Sequence, residues 1–195
     1  MVDMTFQSTP ITPEDGKTLL QAARTAIARH LQQKRDPLFD EERFKKSLWE
    51  KRGVFVTLTQ EGRLRGCVGY LEPSQPLIRA VAQVAVEAAF HDPRFLPLKE
   101  EEWPAVSLEI SVLSPMVQVT DFSAIQVGRD GLLVRKGVAS GLLLPQVASE
   151  YRWTREEFLT QTCLKAGLST GAWKEKKTRV YSFTAEIFSE KTAHV

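Results

Sequence analysis

Arg65 and Cys67 set a cation and a thiol two positions apart in Leu64-Arg65-Gly66-Cys67-Val68-Gly69, a pairing suited to nucleophilic or redox chemistry. In an extended strand, alternation sends Leu64, Gly66 and Val68 to one face and Arg65, Cys67 and Gly69 to the other. The two side chains then leave the same face roughly 6.5–7 Å apart along the strand. A guanidinium at that range favours thiolate over thiol, the condition for a nucleophilic or redox cysteine. Two glycines inside a strand cost stability and point to a bulge or to close approach of something to the backbone. The plainer alternative is a kinked core strand with a buried, inert cysteine, since free cysteine is among the most buried residue types.

Other residues join this candidate centre only if the fold brings them there. If the strands at Val54, Leu64 and Val106 share a sheet, Thr57, Arg65, Cys67, Glu109 and Ser111 converge on one face as hydroxyls, cation, thiol and carboxylate. A wet sheet face alone has no need of Gly66 and Gly69, which favours a site. His91 is the candidate general base for Cys67, although the end of a helix suits a cation for dipole reasons as well. Asp92 precedes Pro93 in a turn-initiating pair, and Arg94 either anchors that turn or grips a carboxylate or phosphate; turn preference favours the structural role. Gln146 follows Leu144-Pro145, where its amide either reads a ligand's polar edge or caps exposed backbone. Cys67, Cys163 and His91 lack paired ligand spacing, so no metal site is expected. No GxGxxG, P-loop, HExxH or GxSxG motif is present.

The elements that must position these residues are readable from caps and periodicity. Thr12-Pro13-Glu14-Asp15 opens a first helix, carried on by Leu20, Ala23, Ile27 and Leu31 and stopped at Asp36-Pro37. Phe44, Leu48 and Trp49 form a short second helix. Val54–Thr59 and Leu64–Leu71 make a hairpin around Gln60-Glu61-Gly62. Pro76–Phe90 is a helix whose alanines allow close packing on a sheet. Val106–Leu113 alternates as a strand. Gly131–Arg135 and Gly141–Leu144 form a second hairpin around Gly137, Thr154-Arg155-Glu156-Glu157 is a capping box, and Arg179–Phe188 is a closing strand. On the capped helix Cys163 shares a face with Leu159 and Ala166 and reads as core. Helices and antiparallel hairpins mix without βαβ alternation, so the fold class is α+β.

Composition bounds the partners. Apolar residues are 43% of the 195, charged residues 26%, and the net charge is +2, a globular balance that argues against nucleic-acid binding. Lys174 to Arg179, with Glu175 inside, reads as a solvated loop, because phosphate binding calls for a broader basic stripe. Two cysteines imply no disulfide framework. The first ten residues lack the basic and apolar regions of a secretory signal, and the most apolar run, Leu77–Phe90, is interrupted by Arg79, Gln83 and Glu87. A cytoplasmic protein with reduced thiols and no membrane contact is expected.

Leu64–Gly69 resembles the signature hexapeptide of the AMMECR family, with Val68 where isoleucine is usual. The resemblance continues through Ala88–Phe95, Leu108–Pro115, Gly141–Ala148 and Cys163–Leu168, in order along most of the chain. Prokaryotic members are called AmmeMemoRadiSam system protein A, after Memo-like and radical-SAM companions. The resemblance implies two unequal subdomains, each an antiparallel sheet with flanking helices, around a cleft faced by the hexapeptide strand. Mapped here, residues 1–115 and 177–195 form the larger subdomain with both termini, and 116–176 an inserted smaller one, together one AMMECR-type domain. It names no substrate or cofactor. The expected function is a binding or adaptor module for a protein or peptide partner, with the Memo-like and radical-SAM companions as natural candidates. In that reading Leu64, Arg65, Gly66, Cys67, Val68, Gly69, Asp92, Arg94, Ser111 and Gln146 form the binding surface. The alternative is a thiol-dependent enzyme with Cys67 as nucleophile or redox residue activated by Arg65, served by His91 and Glu109.

Overall fold

The computed structural model describes residues 9–34, 45–72 and 75–190. The expected helix stop at Asp36-Pro37, the place of Phe44 and the reading of the first eight residues lie outside them. Chain contacts divide the protein into two compact units, residues 1–113 with 186–195, and residues 114–185.

In the first unit, helix α1 (Pro13–Leu31) starts at Thr12, whose side chain accepts the Asp15 N–H while Asp15 accepts the Thr12 N–H. Strands β1 (Val54–Gln60) and β2 (Arg63–Tyr70) form an antiparallel hairpin. Its two-residue turn has positive φ at Glu61 (51°) and Gly62 (79°), the left-handed geometry whose twist matches that of the flanking strands. Helix α2 (Leu77–Phe90) follows, then β3 (Val106–Leu113). The sheet is completed by β8 (Ala185–Ser189), in the order β2-β1-β3-β8. One face carries Val54, Val56, Leu58, Leu108, Ile110 and Val112, all buried against Leu19, Ala23 and Ile27 of α1 and Ile78, Val81 and Ala85 of α2. The second short helix is reduced to a 3-10 turn over Lys46–Trp49.

The second unit has its own sheet, ordered β4-β7-β5-β6. Its strands are β4 (Val117–Gln118), β5 (Gly131–Lys136), β6 (Ala139–Leu143) and β7 (Arg179–Phe183). Helices α3 (Pro145–Glu150) and α4 (Arg155–Lys165) complete it, and Thr154 and Glu157 form the capping box of α4. Leu132, Val134 and Val180 bury one face against Phe158, Leu159 and Cys163, so Cys163 is a core residue.

Two expectations need correction. The closing strand is not continuous. It breaks at Thr184, so that β7 pairs with β4 and β5 in the second sheet while β8 belongs to the first. The return crossing therefore lies at 185/186, not 176/177. The other concerns the signature strand. Leu58 faces Gly66 but Thr59 faces Leu64, so Arg65 is an extra residue in a β-bulge. The bulge flips the alternation, and Leu64 leaves the face of Gly66 and Val68 to stand 44% exposed. Among the described residues, no helix is long and apolar enough to cross a membrane.

Both strand glycines have packing reasons. A Cβ at Gly66 would lie 2.1 Å from the carbonyl oxygen of Ala88, and one at Gly69 2.2 Å from the Phe55 ring. Backbone cannot swing aside as a ring can. Gly66→Ala is therefore expected to lower unfolding free energy by about 3 kcal/mol in urea titration. Gly171→Ala, with open space around the site and φ −94°, should change it by less than about 0.5 kcal/mol.

Candidate functional site

The hexapeptide strand lies at the edge of the first sheet, with β1 as its partner. On the face opposite the helices, Thr57 stands between Cys67 of β2 and Glu109 of β3, and Phe55 stands between Gly69 and Ser111. The Thr57 hydroxyl lies 3.2 Å from Cys67 Sγ, as donor to the sulfur. Thr57, Cys67 and Glu109 are half-buried, and Ser111 is buried. Of the five residues expected to converge, register puts Thr57, Cys67, Glu109 and Ser111 on one face, while Arg65, the bulge residue, pairs with Glu102.

The turn after α2 closes the outer edge of this strand. Asp92 Oδ2 accepts the Cys67 N–H at 2.9 Å, and Arg94 Nη2 donates to the Cys67 carbonyl at 3.1 Å. Asp92 and Arg94 are tied to each other by Nε–Oδ1 and Nη2–Oδ2 bonds of 3.0 and 2.7 Å. Asp92 is buried, and the Arg94 guanidinium holds its carboxyl well below the usual carboxylate range. This ion pair occupies the hydrogen-bonding positions that another strand would take. It gives Asp92 and Arg94 the structural role their turn preference favours, applied to the backbone of Cys67 itself.

Arg65 does not serve the thiol. Its Nε and Nη2 donate to the two oxygens of Glu102 at 2.9 and 3.0 Å, a bidentate pair that lowers the Glu102 carboxyl to about 2. Sequence reading missed Glu102, whose one signal is its place in the charged run Lys99–Glu102. The Nη1 of Arg65 is buried without a partner. Burial pushes the Cys67 thiol above its ordinary value. The Thr57 bond and the Arg94 charge oppose that rise, and Asp92 and Glu109 add to it. The sequence expectation of a thiolate stabilised by Arg65 is overturned, because Glu102 takes up the charge and the sulfur is desolvated.

His91 is engaged elsewhere as well. Its Nδ1 lies 3.1 Å from Glu87 Oε2, and its ring meets His30 edge-on at 6.3 Å, while His30 stacks on Phe90. The hydroxyl of Thr57 bonds the thiol, while His91 meets Glu87 and His30, so the contacts of His91 are not those of a base for Cys67. Gln146 sits in the first turn of α3 in the second unit, with its Oε1 buried and without a hydrogen-bond partner. Among the described residues, no three His, Cys, Asp or Glu side chains gather in a metal-binding group.

Two outcomes follow from these charges. Iodoacetamide labelling of Cys67 against pH, read by peptide mass spectrometry, should titrate above the ordinary cysteine value. Arg65→Gln should leave the profile in place, Arg94→Gln should raise it further, and Glu109→Gln should lower it. In acid the signs of Asp92 and Glu102 agree: both carboxyls are depressed, so their stabilisation is full above about pH 4.5 and lost as pH falls toward 2. Urea midpoints measured through that window should fall less steeply in Glu102→Gln than in the parent.

Comparison with known proteins extends these observations. The family model described as AMMECR1 matches residues 20–188. A protein of Methanothermobacter thermautotrophicus is 46% identical over 187 residues, covering 93% of this chain and 97% of its own length. Protein TK0174 of Thermococcus kodakarensis is 46% identical over 190 residues, covering 92% of each. The crystal structure of protein PH0010 from Pyrococcus horikoshii aligns with a TM-score of 0.86 at 44% identity, over 93% of this chain and 94% of that one. A family match over nearly the whole fold, with relatives this similar end to end, makes the chain a member of the AMMECR1 family.

Proposed function

We propose that this protein is a binding or adaptor module for a protein or peptide partner, engaged through the sheet face around Leu64–Gly69. The observation that carries this reading is the bulge at Arg65, which turns Leu64 outward to 44% exposure on the strand that carries Cys67. An apolar side chain opposite Thr59, on the face that carries Thr57, Cys67 and Glu109, has the anatomy of a contact patch, an anchor with a polar surround. Bulges re-aim side chains in this way next to functional surfaces. The Asp92–Arg94 pair fixes the strand that displays the patch, and Arg65–Glu102 fixes the bulge.

The alternative, a thiol-dependent enzyme built on Cys67, loses two supports. The cation that was to activate the thiol is committed to Glu102, and burial of the sulfur disfavours the thiolate. The partners proposed are the Memo-like and radical-SAM companions that the family resemblance names.

Calorimetric titration of each purified companion into the full chain tests the reading. Leu64→Asp should weaken binding at least about tenfold, as expected for loss of an interface anchor. Cys67→Ser should stay within about twofold of the parent, well under the 1.4 kcal/mol that a tenfold change represents. Absence of binding by the parent would overturn the partner assignment. Loss in Cys67→Ser with retention in Leu64→Asp would overturn the surface itself and return the thiol to the centre.

A further inference from the structure

A second surface lies in the second unit. The run from Lys174 to Arg179 reads as a solvated loop in sequence, but the fold joins it to the β5–β6 hairpin. Arg135 of β5 stands directly opposite Arg179 of β7. Lys136 reaches Glu175 at 2.7 Å, which brings the loop against the hairpin end. Arg135, Lys136, Lys174, Lys176, Lys177 and Arg179 therefore gather at one end of the sheet, with Glu175 as the carboxylate among them. Lys174, Lys176, Lys177 and Arg179 are exposed. At the tip, after Gly137 (φ 59°), Val138 stands fully exposed.

Two features separate this end from an ordinary wet surface. Lys174, Lys176, Lys177 and Arg179 stand exposed within six residues, with Glu175 as the acid of that run, a concentration of positive charge that an anionic partner complements. A valine at the apex of a cationic hairpin adds an apolar anchor to a charged rim, the arrangement of a protein contact.

We infer that the β5–β6 hairpin end, with Val138 at its tip and the basic side chains around it, is a docking surface for an acidic protein segment that carries an apolar residue. Single-stranded nucleic acid fits less well, because such binding needs open aromatic faces for base stacking. Here the aromatic faces have cations over them: Lys174 Nζ lies 4.6 Å from the Trp173 ring centroid, and the Arg135 guanidinium 5.9 Å from that of Tyr181. An anionic membrane is also a weaker match, since one valine supplies little apolar area to insert. This surface is built by the second unit and the one around Leu64 by the first, and each is tested by its own variants.

The probe is a fluorescein-labelled peptide of acidic residues flanking a central leucine pair, titrated with the full chain by anisotropy at about 50 and 300 mM salt. The parent should bind, and about tenfold more weakly at the higher salt. The pair Lys176→Glu and Lys177→Glu, and separately Arg179→Glu, should each lose about tenfold or more. Val138→Asp should weaken binding of this peptide more than binding of an all-acidic peptide, whereas Leu64→Asp should match the parent. All of these positions are exposed, so circular dichroism should show intact folds. Parent binding weaker than about 1 mM, unchanged binding in the charge reversals, or tighter binding of an oligothymidine or of phosphatidylglycerol vesicles at equal salt would each overturn the inference.

Discussion

The signature strand depends on the close approach of α2 to β2. The carbonyl oxygen of Ala88 takes the space that any side chain at position 66 would need, so the helix can pack there only because residue 66 is glycine. That contact fixes where α2 ends. The residues that follow the helix, His91 to Arg94, are thereby delivered to the open edge of the strand, where Asp92 and Arg94 take up the backbone of Cys67. Helix packing, edge protection and the setting of the thiol are one arrangement, and Gly66 is its first requirement.

The same arrangement explains the chemistry of the site. A cysteine becomes reactive when cations and solvent stabilise the thiolate. Here Arg65 is neutralised by Glu102, Arg94 is neutralised by Asp92, and the sulfur is drawn into a half-buried sheet face beside Glu109. Each cation is present, as the sequence promises, but each has a carboxylate partner, and the pull of Arg94 on the thiol is opposed by Asp92 and Glu109. The remaining feature is shape, in which a bulge displays Leu64 and two ion pairs hold that bulge and its strand in place.

Much of the fold was legible in the chain. The caps at Thr12 and Thr154, the Glu61-Gly62 turn, the alternation of Val106–Leu113 and the alanines of α2 each carry a local signal, and local signals survive into the structure. The shared face of Thr57, Cys67, Glu109 and Ser111 was also legible, since it needs only three strands in one sheet, but the place of Arg65, expected with them, was not. The strand break at Thr184 was not, because β7 and β8 both alternate and periodicity does not say which sheet a strand joins. The bulge at Arg65 was hidden for a similar reason: a one-residue shift of register flips every side chain beyond it, and register is set by the partner strand.

The elements and the α+β class follow from the chain alone, because helix caps, turn conformations and side-chain alternation are properties of neighbours along it. Tertiary structure decided what the residues do. It gave Arg65 to Glu102, set Asp92 and Arg94 on the backbone of Cys67, moved Leu64 to the open face, assigned Gly66 and Gly69 to packing, and set Arg135 opposite Arg179. Electrostatics and burial depend on distances between residues remote in sequence, and those distances exist only once the chain is folded.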